Sequence, residues 1–531
     1  MRQNRITVIF FLFILFFILL QIRIISISIF PDPRLKNMAA VPSTRGSIID
    51  RNSRELAVSS AFYSLYARPK LMTAARRHDF YNLLAVSADL SNGMQLLESD
   101  KNFVWLKRKM TPGESAGIRE IVSDMKKSNL IVHDEIGVIT EEGRFYTSAA
   151  STHVVGVVGI DNTGLSGLEL SMNGYLAKGY SVYTTLDSEL SAIVFEELKK
   201  GIIENQAEYG SAIIIDNSSM ELLSIVNFPS YDPNDLKSIT TFNLQSKANS
   251  SIFEPGSVMK QFSAAFALEK KYATPSYPVY DCPGYATIDE QTFSCENPHG
   301  KVDLTSIIQK SCNVGMVQVA DNFKKHEFYE FLRNFGFGES LPLPLLENSS
   351  GILRTPDRWS ALSKYMIAIG QEIGVNALQL SIASSVIAGD GVYRMPVLIR
   401  GITDERGNNI YRPGFKSFRV ISSETSRELL SMMERVVSEN GTAIKAKIEG
   451  VTIAGKTGTG QIAKEKGQGY YKDLFNAVFI GYVPSVRPRY TVVVVISKSH
   501  GDYHTGGLVA APVFANIIRR MITSTSYFTN E

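Results

Sequence analysis

The 531-residue chain has few of the residues that metal centres and disulfide frameworks need, with three cysteines and seven histidines. This scarcity predicts no metal site and no cofactor. Charge is close to balance at a net +3, so composition gives no reason to expect a nucleic-acid partner. Hydrophobic residues at 44% and charged residues at 20% instead indicate a globular protein, long enough for two or three domains.

The N-terminus differs from this soluble composition. An apolar run extends from Ile6 to Ile22 and is preceded by Arg2 and Arg5. Its length is at the lower end of what a membrane-spanning helix needs, and no small-residue cleavage site follows it. The run therefore predicts an uncleaved single-pass anchor in the cell membrane rather than a signal peptide. Because positive residues stay on the cytoplasmic side, we expect a cytoplasmic N-terminus and an extracytoplasmic remainder.

Shifts in composition divide the chain into four predicted parts. Residues 1–30 are predicted to form a cytoplasmic tip and transmembrane anchor, and residues 31–44, which contain three prolines, a linker. Residues 45–185 mix short helical patterns with basic and polar stretches, which predicts one irregular mixed domain. Residues 186–531 are predicted to form the second domain.

The second domain shows clear strand and helix patterns. Near its start, SAIIIDNSSMELLSIVNF predicts a strand hairpin, and near its end FNAVFIGYVPSVRPRYTVVVVIS predicts another. Helical spacing predicts helices in SELSAIVFEELKKGIIEN and APVFANIIRRMI. Hairpins at both ends with helical segments between them predict an α/β fold of the α+β type, with an antiparallel sheet covered by helices.

The segment FEPGSVMKQF, residues Phe253 to Phe262, has a serine followed three positions later by a lysine. Apolar spacing predicts a helix from Ser257, which places Lys260 on the same side one turn along. Lys260 could then act as the base for Ser257, and free N–H groups at the helix start could stabilise an oxyanion. A serine at a helix start is more often an N-cap, however. Because Ser123–Lys126 (SDMK) has the same spacing, the motif alone favours the N-cap.

Two further motifs change this balance. Ser311 and Asn313 belong to SCN, which opens a predicted helix, and Lys456–Thr459 form KTGT. The KTGT cation and hydroxyls are suited to holding a carboxylate, and Gly458 to a close approach of the ligand. A phosphate-binding loop is the alternative, because a complete G-x-x-x-x-G-K-T pattern begins at Gly450. No hydrophobic strand ends there and the predicted location is extracytoplasmic, so the phosphate loop is disfavoured.

In this order, S-x-x-K, S-x-N and K-T-G resemble the motif set of β-lactamases and penicillin-binding proteins. Other segments strengthen the resemblance, namely RGSIIDRN, GLSGLE, SYDPN, VVSENGTA, FIGYVP and GGLVAAPVF. From about residue 45 to 515 the chain is similar to class B penicillin-binding proteins, the membrane-anchored D,D-transpeptidases of peptidoglycan synthesis. One departure is Ser53, which stands where the family usually has glycine.

The resemblance implies a transpeptidase domain with a central antiparallel sheet flanked by helices, above a dimerisation-like pedestal domain at 45–185. It implies that Ser257 is the catalytic nucleophile, Lys260 its base and Ser311 a proton relay. The substrate-binding residues that it implies are Asn313, Lys456, Thr457, Gly458 and Thr459. It also implies stem-peptide substrates, β-lactams as acylating inhibitors and no cofactor.

Three other penicillin-recognising activities use the same motifs. A D,D-carboxypeptidase would use water as the acceptor, a β-lactamase would deacylate rapidly, and a β-lactam sensor would need several membrane spans. The single predicted span and the pedestal favour the transpeptidase. The resemblance further implies a polytopic glycosyltransferase partner, and it leaves septation, elongation and sporulation all open.

Two cysteines lie in DCPGYATIDEQTFSCENPHG, a segment whose Gly, Pro and Asp content predicts a surface excursion. Disulfides form outside the cytoplasm, where this segment is expected. Because sequence does not set the geometry, two outcomes stay open: a bridge between Cys282 and Cys295, or free thiols. Cys312 is left over in either case.

Overall fold

The structure is a computed structural model that describes residues 44–345, 348–464, 469–500, 503–524 and 526–528. The predicted tip and anchor at 1–30, and the linker up to residue 43, lie outside these residues. Within the described residues, no helix has the length and apolar character needed to cross a membrane.

A five-stranded antiparallel sheet forms the centre of the C-terminal part. In spatial order its strands are Ala454–Ala463, Tyr470–Val483, Tyr490–Ser499, Ala207–Asp216 and Glu221–Phe228. Both predicted hairpins form, and their four strands are contiguous in the sheet because the two hairpins pair through Tyr490–Ser499 and Ala207–Asp216. The strand Ala454–Ala463 pairs on one side only among the described strands, and we call it the edge strand.

Helices cover both faces of this central sheet, as predicted. They are Ser188–Glu204 and Gly506–Ser524 on one face and Lys260–Glu269 and Ala377–Ala388 on the other. Side chains of a strand alternate between faces. Phe479 packs edge-on against Phe514, with ring centroids 4.9 Å apart, whereas Tyr482 donates a hydrogen bond to Gln261 at 2.5 Å on the opposite face. The helix Ala377–Ala388 is buried at every position, so it forms the core beneath that second face.

The remaining helices of eight residues or more in the described chain are Ala74–Ala85, Ala116–Lys127, Asn313–Ala320, Lys325–Asn334 and Ser423–Glu434. The surface excursion predicted around Cys282 forms two small antiparallel sheets. One pairs Tyr280–Cys282 with Gly300–Val302, and the other pairs Tyr285–Ile288 with Gln291–Ser294.

The N-terminal part is built on a mixed six-stranded sheet. Its strands are Ile48–Ile49, Glu55–Ala67, Val104–Met110, Ile136–Tyr146, Ser181–Thr184 and Ile399–Thr403. The last of these comes from far along the chain and pairs antiparallel with Ser181–Thr184. Residues from Arg45 onward accordingly form one compact unit. The division of the chain at residue 185 stays a prediction.

Two family-like segments of the N-terminal part meet in a buried ion cluster. Arg45 of RGSIIDRN donates from Nε to Glu169 of GLSGLE at 2.7 Å, and Arg144 donates from Nε to the other carboxylate oxygen at 2.6 Å. Glu169 is 0% exposed, and both arginines are buried. A buried carboxylate needs such compensation of its charge. The cluster therefore fixes the short helix Gly167–Ser171 to the start of the described chain.

Ser53 lies in the left-handed region of backbone conformation, with φ of 66°. Its turn is held by Asp50, whose carboxylate accepts from the backbone N–H groups of Asn52 and Arg54, both at 2.8 Å. Glycine reaches this conformation without the Cβ strain that a serine carries. This backbone conformation explains why the family usually has glycine at this position.

Candidate active site

The 3-10 turn Gly256–Met259 continues directly into the α-helix Lys260–Glu269, and we call the two together the serine helix. The cap position of this helix is Pro255, so Ser257 is already its second residue. The hydroxyl of Ser257 makes no capping hydrogen bond and instead accepts one from Lys260 Nζ at 2.9 Å. The reading of Ser257 as an N-cap alone is therefore wrong.

Lys260 connects the first motif to the second. Its side chain is 0% exposed, and its Nζ donates to Ser311 O and Asn313 Oδ1, both at 2.6 Å. Ser311 Oγ lies 3.3 Å away. Burial lowers the pKa of Lys260 to about 8, because a charged amine loses hydration there. About a tenth of this lysine is therefore neutral at pH 7, far more than for an ordinary lysine.

Lys456 of the third motif approaches the same serine from the other side. Its Nζ donates to Ser311 Oγ and to the carbonyl of Thr457, both at 3.1 Å. The side chain is fully buried, and burial together with the neighbouring Lys260 lowers its pKa well below the ordinary value. Ser311 Oγ thus lies between two buried amines, which is the arrangement that a proton relay requires.

Ser311 adopts a left-handed backbone conformation, with φ of 55°. Such strain in a residue other than glycine persists only where the surroundings hold it, and it is concentrated at functional sites. The next residue, Cys312, caps the helix Asn313–Ala320 by accepting from the backbone N–H of Gly315 at 3.2 Å. Asn313 follows, and its Nδ2 donates to Ser294 O at 2.8 Å. The SCN turn is therefore held on both sides.

The edge strand carries the third motif along the side of the cleft. Thr457 shares a hydrogen bond of 2.7 Å with the hydroxyl of Thr442, and Thr459 Oγ1 accepts from the backbone N–H of Gly506 at 3.3 Å. Because GKTGTG is a paired strand, its backbone N–H groups do not form the loop that cradles a phosphate before a helix. The phosphate-loop alternative is therefore wrong.

Gly458 has a packing role that its motif did not suggest. A Cβ there would lie 2.6 Å from the carbonyl oxygen of Pro255 and 2.9 Å from Val258. Gly256 faces the strand in return, since a Cβ there would lie 2.6 Å from Thr459 O. The close approach that these glycines allow is between the edge strand and the serine helix, which places the backbone of Thr459 beside the serine turn.

A cleft of about 630 Å³ lies over these groups. Of the eight predicted site residues, five line it: Ser257, Ser311, Asn313, Thr457 and Thr459. Lys260, Lys456 and Gly458 lie beneath its surface. The two lysines donate hydrogen bonds to the lining hydroxyls of Ser257 and Ser311 from beneath the cleft surface. The sequence motifs therefore contain both residues that face the ligand and residues that position those residues.

Sequence reasoning missed Thr442 and Glu254, which line the cleft beside the motifs. Thr442 lies in VVSENGTA, a segment noted only for its resemblance, although a hydroxyl there could have been assigned to the carboxylate site. Glu254 precedes the serine turn; its Oε1 accepts from Glu372 N at 2.9 Å and from Tyr470 OH at 3.2 Å, and burial raises the pKa of this carboxyl.

The second S-x-x-K pattern forms no site. Ser123 lies past the first turn of the helix Ala116–Lys127 and Lys126 lies in its last turn, and both are exposed. A serine past the first turn has no free N–H groups beside it, and an exposed lysine is not desolvated.

The family model described as "Penicillin binding protein transpeptidase domain" matches residues 210–519. The chain belongs to this family. Its similarity to curated relatives also extends over the N-terminal part, which makes it a class B penicillin-binding protein. Among these relatives is a probable peptidoglycan D,D-transpeptidase, PbpC, of Pseudomonas aeruginosa. It is 29% identical over 510 residues, which cover 90% of this chain and 86% of the relative.

Peptidoglycan D,D-transpeptidase FtsI of Escherichia coli is 28% identical over 526 residues, covering 92% of this chain and 84% of the relative. Among solved structures, penicillin-binding protein 3 of Mycobacterium tuberculosis complexed with aztreonam superposes with a TM-score of 0.73 at 25% identity. That match covers 91% of this chain and 96% of the other. The mixed fold with helices around the sheet is therefore that of a penicillin-binding transpeptidase domain, as predicted.

Proposed function

We propose that this class B penicillin-binding protein is a peptidoglycan D,D-transpeptidase that cross-links stem peptides through an acyl-enzyme on Ser257. The observation that carries the proposal is the 2.9 Å contact between Lys260 Nζ and Ser257 Oγ, made by a lysine with no exposed surface. The names of the relatives, peptidoglycan D,D-transpeptidases, support the same reaction.

Acylation starts with proton transfer from Ser257 Oγ to neutral Lys260, within direct hydrogen-bond reach. The oxygen then attacks the carbonyl between the two terminal D-alanines. Ser257 lies in the first turn of its helix, where backbone N–H groups have no partner within the helix. Its own N–H and that of Thr459 form the oxyanion hole for the tetrahedral intermediate.

The leaving D-alanine needs a proton on its nitrogen. Lys260 passes the proton to the leaving amine through Ser311, which it contacts, and Lys456 on the far side of Ser311 favours the release of that proton. The terminal carboxylate of the substrate binds the hydroxyls of Thr457 and Thr459, where Lys456 beneath the strand favours a negative charge.

The second step transfers the acyl group to an amine of a neighbouring stem peptide, with the same lysine as base. Asn313 orients the substrate. Its Oδ1 accepts from Lys260 and one N–H of its Nδ2 donates to Ser294, so the second N–H of the amide is the group that binds a substrate carbonyl.

The test uses the full chain and a fluorescent penicillin. We expect stoichiometric labelling, complete loss of label in Ser257→Ala, and unchanged labelling in the control Ser123→Ala, which alters the second S-x-x-K. Labelling that survives Ser257→Ala would refute the nucleophile.

The same protein separates the related activities. Slow loss of the bound penicillin is expected for a transpeptidase, whereas rapid turnover would indicate a β-lactamase. With a pentapeptide donor and an amine acceptor, we expect cross-linked dimer as the main product. Release of D-alanine to water without dimer would indicate a carboxypeptidase instead.

Membrane attachment and a partner belong to this proposal as well. The apolar run at residues 6–22 supports a single-pass anchor with the catalytic part outside the cell membrane. A reporter enzyme active only outside the cytoplasm, fused after residue 44, should be active. A polytopic glycosyltransferase that supplies the glycan strands should co-purify with the full chain; a chain that purifies alone after cross-linking in cells would argue against it.

A further inference from the structure

At one wall of the cleft, which Cys295 and His299 line, four side chains that ligate soft metals point at one place. The sulfur atoms of Cys282, Cys295 and Cys312 and a ring nitrogen of His299 all lie within 4.8 Å of one another. Cys282 and Cys312 are buried, and the other two are partly buried. All three cysteines are free thiols in the structure. Of the two outcomes left open for Cys282 and Cys295, the described geometry is thus the unbridged one.

Three of the six distances between these atoms match the edges of a tetrahedron around one ion, and the other three are no longer than 4.8 Å. Sulfur atoms bound to zinc at about 2.3 Å lie about 3.8 Å apart at the tetrahedral angle, and a sulfur and a nitrogen lie about 3.6 Å apart. Cys282 and Cys295 are 3.8 Å apart, and Cys295 and Cys312 are 3.7 Å apart. Cys282 Sγ and His299 Nδ1 are also 3.7 Å apart.

The sulfur atoms of Cys295 and Cys312 both lie at the start of one helix. Cys312 caps the helix Asn313–Ala320 and accepts from the N–H of Gly315. The backbone N–H groups of Asn313 and Val314 face Cys295. Three N–H groups at the positive end of a helix thus point at two sulfurs, which stabilises negative charge there.

We propose that Cys282, Cys295, His299 and Cys312 bind one zinc ion as a closed structural site. The ligand set, three cysteines and a histidine, is a standard structural zinc set. A disulfide is the first alternative, but it would use only two of the three thiols and would leave the third thiol and the histidine without a role. An iron–sulfur cluster needs ligands on different irons, which lie farther apart than ligands that share one ion.

The ion would hold the second catalytic motif in place. Cys312 lies between Ser311 and Asn313, while the other three ligands belong to the excursion that spans 280–302. Besides the ligands, one hydrogen bond joins the two pieces at the cleft, from Asn313 Nδ2 to Ser294 O. Zinc would therefore maintain the strained conformation of Ser311, so the four ligands are positioning residues rather than catalytic ones.

Sequence reasoning predicted no metal site because cysteines and histidines are scarce. All three cysteines and one of the seven histidines nevertheless converge here. No pair of these ligands has the C-x-x-C spacing that identifies many zinc sites, and the one short-spaced pair, Cys295 and His299, is not sufficient to predict a site without the other two ligands.

The test measures metal in the purified full chain by mass spectrometry of the elements. We expect about one zinc per chain, and less than about a tenth of that in Cys312→Ser and in His299→Gln. The matched control is His504→Gln, because His504 also lines the cleft but stacks on Phe475 outside the cluster. It should keep its zinc.

If zinc is lost in purification, the reduced protein should take up one added zinc ion in competition with a chromogenic chelator. Failure to do so would overturn the proposal. A native chain two hydrogens lighter, with only one reactive thiol, would show a disulfide and overturn it. Iron in place of zinc would overturn the choice of metal.

A second measurement tests the positioning role and rests on the proposed function. Slow extraction of zinc by a chelator should lower the rate of penicillin acylation at least tenfold, and added zinc should restore it. Retained zinc with no labelling at all would instead refute the acyl-enzyme, so the two failures are distinguishable. Full acylation after complete extraction would refute the positioning role.

Discussion

The N-terminal part and the catalytic cleft both bury charged side chains, but the charges are compensated differently. In the N-terminal part, Glu169 has two arginine partners, with side chains that are 4% and 1% exposed. In the cleft, Lys260 and Lys456 are equally buried, and within the described residues neither has a carboxylate within 4.0 Å. Their contacts are with hydroxyl, amide and carbonyl groups.

This difference separates structural from chemical use of burial. A compensated ion keeps its charge and holds two segments together, whereas an uncompensated amine loses its proton more readily. The pKa of Lys260 is lowered to about 8 for this reason, and that of Lys456 is lowered too. The four predictions that follow each test one side of the comparison, in order of decreasing expected effect.

The largest effect is expected from removing the uncompensated base. Lys260→Ala should lower the rate constant for acylation by penicillin about 10³-fold, within the range typical of a lost general base. The acylation rate constant of Lys260→Arg should fall by as much, because a guanidinium stays charged and cannot accept the proton. The control Lys126→Ala, in the exposed second S-x-x-K, should be unchanged. Wild-type rates in Lys260→Arg would contradict the role of Lys260 as base.

Breaking the compensated cluster should destabilise the fold without changing the chemistry. Glu169→Gln leaves two arginines buried without their anion and should lower the free energy of unfolding by about 3 to 5 kcal/mol. The matched control is Glu204→Gln, because Glu204 pairs with Lys200 on the surface and should contribute less than about 1 kcal/mol. Thermal and urea unfolding measure both.

The variant Arg144→Lys keeps the positive charge but loses the planar donor geometry. Its loss in free energy of unfolding should therefore lie between those of Glu169→Gln and Glu204→Gln. Acylation rates per folded molecule should equal the wild type in all three variants. A stable Glu169→Gln protein with slow acylation would place this cluster in the catalytic machinery and contradict the comparison.

The rate of acylation should depend on pH through Lys260. Only the neutral amine accepts the proton of Ser257, and burial lowers the pKa of Lys260 to about 8. The rate should therefore rise about tenfold per pH unit from pH 6 and level off above pH 8. Burial is the larger influence and favours the neutral amine, whereas Cys312 and Cys295 favour the charged form.

This profile is measured with the fluorescent penicillin, and the thermal unfolding midpoint over the same range serves as the control for loss of fold. A rate that is flat between pH 6 and 8 would show that Lys260 is already neutral at pH 6 or is not the base.

The smallest effect concerns two serines with the same backbone strain. Ser53 and Ser311 have φ of 66° and 55°. Ser53→Gly should raise the free energy of unfolding by about 0.5 to 1 kcal/mol, because glycine adopts this conformation without Cβ strain. Ser311→Gly relieves the same strain but should abolish efficient acylation, since the hydroxyl is lost. A loss of stability in Ser53→Gly would show that its side chain contributes more than its strain costs.

Local patterns were sufficient for the regular elements. Alternation over the two predicted hairpins and helical spacing in SELSAIVFEELKKGIIEN depend on near neighbours only, and these elements formed where predicted. The strand Ile399–Thr403 was not predicted to join the N-terminal sheet, because pairing across so long a separation leaves no local signal.

By itself, the sequence determined the order of the motifs, and with it the family to which this protein belongs. The S-x-x-K pattern alone could not distinguish Ser257 from Ser123, and only its position before SCN and KTGT favoured Ser257. The tertiary structure decided what makes Ser257 different, because desolvation of Lys260 and its contacts with Ser311 and Asn313 depend on what packs around it. The same reason applies to the cysteine–histidine cluster, whose ligands come from the excursion and from the start of a helix and are brought to one point by the fold.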